Sequence, residues 1–125
     1  MPKKILVVDD EELLTRSFSN LLEKHGYEVY TVRNGTDAVV MIEEEDFDLI
    51  ITDIRMPGDD GVVTIGKVQE ALEKKRKSKI PVIFITGYAD ARLEKEARKL
   101  NPVAYLFKPF DVKQILELVT ATINT

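Results

Sequence analysis

Cysteine and tryptophan are absent from this 125-residue chain, and histidine occurs once, as His25. Without cysteine there is no disulfide framework, no thiolate metal site and no thiol chemistry. A single histidine excludes a multi-histidine metal centre. Long apolar runs are missing too. The longest near the N-terminus is Ile5 to Val8, too short for a signal peptide and far from the ~20 apolar residues that span a bilayer. The expected location is therefore the cytoplasm, with no membrane partner. Basic charge is not in excess: 18 Lys and Arg stand against 22 Asp and Glu, for a net charge of −4. That argues against nucleic-acid binding, which rests on neutralising phosphates. One basic run, Lys74-Lys75-Arg76-Lys77-Ser78-Lys79, reads as a solvated helix end where cations suit the macrodipole. The remainder, 44% hydrophobic and 32% charged, is ordinary for one globular domain able to bury about two thirds of its extended-chain surface.

What is present alternates. Ile5–Val8, Leu49–Thr52, Val82–Ile85 and Val103–Phe107 are apolar runs, and Glu28–Val32 is a more polar fifth. Continuous apolarity with β-branched residues predicts strands buried on both faces, as in parallel sheets. Between them the period becomes helical. Leu14, Phe18, Leu21 and Leu22 form one apolar face, with Gly26 as the stop. Asn34 caps a second helix facing inward through Ala38, Met41 and Ile42, and Asp60 a third running to about Arg76 through Ile65, Val68 and Leu72. A fourth is expected from about Asp90 to Leu100, and a fifth after Asp111 with Ile115, Leu116 and Val119 inward. Strand and helix thus alternate five times, which predicts an α/β fold with helices on both sides of a parallel sheet. Right-handed crossovers then bring every strand's C-terminal end to one rim, where such folds bind ligands.

The residues at those ends are chemically pointed. The first strand runs into Asp9-Asp10-Glu11-Glu12, the third into Asp53, the fourth into Thr86-Gly87 and the fifth into Lys108-Pro109. Gathered carboxylates repel: two unit charges 4 Å apart cost about 4 kcal/mol at an effective dielectric of 20. A shared proton, a lysine or a divalent cation must offset that. Hard oxygen donors without cysteine or histidine favour Mg²⁺, with Mn²⁺ as a substitute, and Lys108 neutralises part of the remainder. A carboxylate ionised at neutral pH is a nucleophile without a general base, and its handicap towards an anionic phosphoryl group is relieved by cations. A Thr86 hydroxyl is placed to donate to a phosphoryl oxygen. The set suits a transient aspartyl phosphate.

Lys4-Ile5-Leu6-Val7-Val8-Asp9-Asp10-Glu11, Asp53-Ile54-Arg55-Met56-Pro57-Gly58-Asp59-Asp60-Gly61, Ile85-Thr86-Gly87 and Tyr105-Leu106-Phe107-Lys108-Pro109-Phe110 resemble the receiver domains of two-component response regulators, in order and over essentially the whole chain. The resemblance implies a doubly wound, flavodoxin/CheY-like (βα)5 fold with strand order 2-1-3-4-5, spanning 1–125 as one receiver domain with no effector domain in this chain. It implies Asp53 as phosphoacceptor, Asp10 as a direct Mg²⁺ ligand with Asp9 assisting directly or through water, and the Arg55 backbone carbonyl as a further ligand. Lys108 would pair with the phosphoryl group. Thr86 would turn towards it, and Tyr105 would follow by moving between exposed and inward rotamers. A cis bond before Pro109 is expected on the same ground. The implied partners are a sensor histidine kinase or histidine phosphotransfer protein, and a downstream effector meeting the fourth helix, fifth strand and fifth helix. A phosphorylation-dependent homodimer is a further expectation. The implied role is regulatory, not enzymatic in the ordinary sense.

Three positions depart from or tune the pattern. Asn101 stands where a glycine commonly precedes the fifth strand, and tolerates a left-handed conformation. Arg55 and Tyr88, each two residues beyond a motif residue, occupy positions that tune phosphoryl lifetime in the resembled family. Other acidic residues have plainer roles: Asp59 and Asp60 a turn and a cap, Glu11 and Glu12 the positive end of the first helix, Glu11 otherwise touching metal-bound water. His25 marks a helix C-terminus. Competing functions are a docking module of the same fold that works without phosphorylation, and a phosphohydrolase or flavin carrier. Arg55 stands where an aspartate-based hydrolase needs its second carboxylate, and the opening acidic run would repel a flavin phosphate.

Overall fold

The apolar runs do form strands. The computed structural model describes residues 2–123 and contains β1 (Lys4–Val8), α1 (Glu12–Lys24), β2 (Glu28–Val32), α2 (Gly35–Glu44), β3 (Leu49–Asp53), α3 (Gly61–Lys74), β4 (Val82–Thr86), α4 (Ala91–Arg98), β5 (Ala104–Phe107) and α5 (Val112–Ile123). All strand pairs are parallel, in the order β2-β1-β3-β4-β5. The expected doubly wound fold and strand order are thus both present. Among the described residues no helix is long and apolar enough to cross a membrane.

Strand periodicity splits the core in two. Leu6, Val8, Ile50 and Phe84 face α2, α3 and α4 through Ala38, Ile42, Ile65, Val68, Leu72 and Ala97. Ile5, Val7, Leu49, Ile51, Ile83 and Ile85 face α1 and α5 through Phe18, Leu22, Ile115 and Val119. Alternate side chains of each central strand thus enter opposite layers, which is why β1, β3 and β4 read as unbroken apolar runs. Each fully buried Leu, Ile or Phe contributes roughly 1.5–3 kcal/mol relative to exposure. The edge strand β2 is only half-buried, matching its more polar sequence.

Caps behave as their residue types dictate. The side chains of Asn34, Asp60 and Asp90 accept hydrogen bonds from the backbone N–H of Asp37, Val63 and Leu93 at the starts of α2, α3 and α4. Asn101 takes a left-handed φ of 55°, so the turn before β5 keeps its form without glycine.

Several boundaries fall short of the sequence reading. β5 begins at Ala104, leaving Val103 exposed. α4 stops at Arg98 instead of near Leu100 and buries only Ala97 fully, since a helix with so little apolar surface gains little from another turn against the core. α3 ends at Lys74, and Arg76 adopts φ 57° two residues on. The basic run that follows is not merely solvated. Lys75 Nζ donates to the Glu43 carbonyl at 2.6 Å, and Lys77 pairs with Asp46. α2 has no basic residue in its last turn, so these lysines supply from α3 the cations that its carbonyl end favours.

Candidate functional site

Parallel register decides what meets at the rim. Val8 aligns with Thr52, Asp53 with Ile85, and Thr86 with Phe107. The residues at or just beyond these points leave the sheet on one side. Asp9 N–H donates to the Val32 carbonyl and Lys108 N–H to the Thr86 carbonyl, at 3.1 and 2.7 Å, so both loops stay tied to the sheet as they turn out. The peptide bond between Lys108 and Pro109 is cis.

Carboxylate oxygens of Asp9, Asp10 and Asp53 lie within 4.8 Å of one another. Lys108 Nζ stands among acids: 3.2 Å from Asp53 Oδ2, 3.3 Å from Asp9 Oδ2 and 2.7 Å from Glu11 Oε1. Residues separated by up to 99 positions are thereby joined through one ammonium. Three hard, anionic oxygen donors this close fit a divalent cation of the Mg²⁺ class.

Burial sets the electrostatics. Asp9 is 1% exposed and Asp53 4%. Loss of water pushes the Asp9 carboxyl up from its ordinary 3.8 to about 6; the Glu11 backbone hydrogen bond opposes this, the charge of Asp53 adds to it and Lys108 opposes it. Burial raises Asp53 as well, against the pull of Lys108 and the backbone hydrogen bonds at Arg55 and Ile54. For Lys108, burial disfavours the ammonium, but the Glu11 hydrogen bond and the charges of Asp53 and Asp9 prevail and its pKa is raised.

A pH dependence of stability follows from Asp9. Between its ordinary value and about 6 the folded state binds more protons than the unfolded state, so stability falls as pH rises through that window and the full penalty applies above it. Asp9→Asn, which keeps an acceptor for the Glu11 N–H, is expected to stabilise the protein by about 2 kcal/mol at pH 7.5 and negligibly at about pH 4. Urea unfolding of both proteins in metal-free buffer at the two pH values measures this.

Thr86 and Tyr105 are placed differently from the acids. The Thr86 side chain is folded onto its own loop: Oγ1 accepts from Tyr88 N–H at 3.2 Å and lies 3.4 Å from the Tyr88 carbonyl. No hydrogen bond joins it to Asp53 among the described residues. Tyr105 is buried, packed against Phe84, Phe107 and the Arg98 guanidinium, 5.4 Å from its ring centroid. Its hydroxyl is buried without a hydrogen-bond partner, and burial raises its pKa. A buried orphan hydroxyl costs free energy that its removal recovers. Tyr105→Phe is therefore expected to raise stability by about 1 kcal/mol, read as a higher urea midpoint with an unchanged slope.

The Arg55 and Tyr88 side chains form a pair, with the guanidinium 4.3 Å from the ring centroid and Tyr88 itself exposed. This contact spans the loops after β3 and β4. Asp60 caps α3, and Asp59 pairs with Lys67 at 2.6 Å, so both act locally. His25 closes α1, its ring nitrogen Nδ1 3.0 Å from the Leu21 carbonyl. Glu11 stands at the N-terminus of α1, as expected, and makes one contact that the sequence did not reveal. It sits at the N-cap of α1, yet its side chain makes no capping hydrogen bond and instead reaches Lys108. No local signal could have shown this pairing, since Lys108 lies 97 positions further along the chain.

The response regulator receiver domain family matches this chain over residues 5–120. Solved structures agree. A CheY-like response regulator receiver domain protein from Methanospirillum hungatei JF-1 is 28% identical, with 97% of this chain and 93% of that one covered at a TM-score of 0.85. The N-terminal domain of a response regulator/sensory box/GGDEF 3-domain protein from Carboxydothermus hydrogenoformans is 29% identical over 96% and 93%, with a TM-score of 0.82. A response regulator from Burkholderia pseudomallei, solved with a phosphorylated aspartic acid, calcium ion and citrate, is 28% identical over 98% of this chain and 67% of that chain, with a TM-score of 0.80. With the strand order, the acidic rim and a family match over nearly its whole length, the chain belongs to the response regulator receiver domains, regulatory modules of phosphorylation-dependent signalling.

Proposed function

We propose that this receiver domain takes a phosphoryl group onto Asp53 from a phosphohistidine of a sensor histidine kinase or a histidine phosphotransfer protein. One observation carries the reading: Lys108 Nζ stands 3.2 Å from Asp53 Oδ2, at the same rim as Asp9 and Asp10. An oxygen of the Asp53 carboxylate forms the new O–P bond as the donor's P–N bond breaks and the imidazole leaves with the electron pair. Lys108 offsets the negative charge on the phosphoryl oxygens, a role that pre-placed cations perform at little reorganisation cost. Asp9, Asp10, Asp53 and the Arg55 backbone carbonyl are the groups to hold Mg²⁺, or Mn²⁺ in its place. Bound there, the ion would supply positive charge to the carboxylates and the phosphoryl oxygens.

In the same reading, Thr86 exchanges its contacts with Tyr88 for a phosphoryl oxygen. Tyr105, already inward, is then the aromatic that couples the rim to α4, β5 and α5. That face is suited to change partners: α4 buries one residue fully, and Val103 and Phe107 are exposed beside it. It is the surface proposed for the effector and for a phosphorylation-dependent homodimer. The chain acts as one receiver unit and turns over no substrate beyond its own phosphoryl group.

Incubation with Mg²⁺ and acetyl phosphate, followed by intact-mass analysis, tests the assignment. One phosphoryl group is expected on the parent protein, and none without divalent cation or on Asp53→Asn. Label that persists on Asp53→Ala would overturn the acceptor.

A further inference from the structure

Glu11 is bound to Lys108 in a way that the strand-end motifs do not explain. Its Oε1 lies 2.7 Å from Lys108 Nζ, nearer than Asp53 at 3.2 Å or Asp9 at 3.3 Å. Its own backbone N–H is held by Asp9 Oδ1 at 2.9 Å, so the side chain starts from a fixed point on the rim. The three acids differ in one respect that decides their behaviour. The side chains of Asp9 and Asp53 are 0% and 6% exposed, and that of Glu11 is 59% exposed.

An ammonium has three N–H donors, and here three carboxylates take them. A phosphoryl group on Asp53 brings further strong acceptors. Bonding to phosphorus removes the Asp53 carboxylate and frees one N–H, but Lys108 can serve a second phosphoryl oxygen only by releasing Asp9 or Glu11. Releasing Asp9 strands a buried charge, which is costly. Releasing Glu11 returns an already solvated carboxylate to water, and exposed pairs contribute little.

We infer that Glu11 is a positioning residue: a releasable carboxylate that holds Lys108 in the unmodified protein and competes with the phosphoryl group for it. Glu11 thereby limits how fast Asp53 is charged and shortens the time the phosphoryl group stays. The inference rests on Asp53 as acceptor and adds a rival for its lysine. Glu11 takes no part in the bond exchange itself. With acetyl phosphate, an Asp53 oxygen bonds to phosphorus while the P–O bond to acetate breaks, and acetate leaves with the electron pair.

Two variants separate this pairing from a general repulsion of anionic donors. Glu11→Gln removes the charge. Glu11→Asp keeps the charge but is one methylene too short to hold Lys108. Repulsion alone makes Glu11→Asp behave like the parent; competition for Lys108 makes it behave like Glu11→Gln. Both variants are expected to label about 2- to 5-fold faster than the parent at equal Mg²⁺. The side-chain ammonium resonance of Lys108, followed by NMR without any phosphodonor, is expected to move in both. Labelling of Glu11→Asp at the parent rate overturns the inference, as does an unmoved Lys108 resonance in Glu11→Gln. A parent protein that takes no label overturns the acceptor assignment and this inference with it.

Discussion

Lys108→Ala is expected to slow labelling of Asp53 by about 10²–10³-fold, the usual cost of removing one pre-placed charge-stabilising group. The alanine variant leaves Asp53 without a cationic partner among the described residues. It also leaves Asp9 and Asp53 buried at the same rim with only their mutual repulsion. Both groups then rise further above the ordinary carboxylate range, since the lysine was lowering each. The consequence for stability has a definite sign. Acids that bind protons more tightly when folded lose stability as pH rises through their raised values. Lys108→Ala is therefore expected to unfold at clearly lower urea than the parent at pH 8, and at nearly the parent's midpoint below about pH 3, where both carboxyls are largely protonated in either state. Lys108→Arg adds a discriminating arm. It keeps the charge but presents a planar fork instead of a compact ammonium, so it is expected to recover stability at pH 8 more fully than the labelling rate. Labelling of Lys108→Ala at the parent rate would remove the lysine from the transfer step.

Gly61→Ala is expected to destabilise the fold by about 3 kcal/mol, at the upper end of what overpacking costs. A Cβ at Gly61 would stand 2.3 Å from the Asp53 carbonyl oxygen and 3.0 Å from Ile54 Cα. Both are backbone atoms, so no rotamer change relieves the clash. Gly61 N–H also donates to the Ile54 carbonyl at 2.7 Å, which pins the start of α3 against the end of β3. The strain falls on the residue that carries the proposed nucleophile, and the variant is expected to label more slowly even where it remains folded. Gly58→Ala is the control. Gly58 has φ 79° but open space around it, so its cost is that of a left-handed backbone alone, about 1 kcal/mol. Equal urea midpoints for the two variants would show that the close approach at Gly61 yields easily.

Much of this molecule was readable because the relevant signals are local. Doubly buried strands give unbroken apolar runs, as Leu49–Asp53 and Val82–Thr86 show by being buried throughout. Capping side chains act over three residues, so Asn34 and Asp60 marked their helices directly. Boundaries were less legible where little apolar surface was at stake, at α4 and the start of β5. The acids of the rim could be named because a parallel sheet sends every strand end to one side. Their individual environments could not, because burial depends on what packs around them.

The amino-acid order by itself therefore determined the five strand-helix units, their parallel arrangement and the set of charged residues at the rim, since periodicity and chain crossover are properties of short segments. Tertiary structure alone decided that Glu11 grips Lys108, that Asp9 rises to about 6, that the Tyr105 hydroxyl is buried without a partner, and that Lys75 and Lys77 close the end of α2. Each of these depends on groups far apart in the chain meeting at a particular distance, and on how much water remains between them.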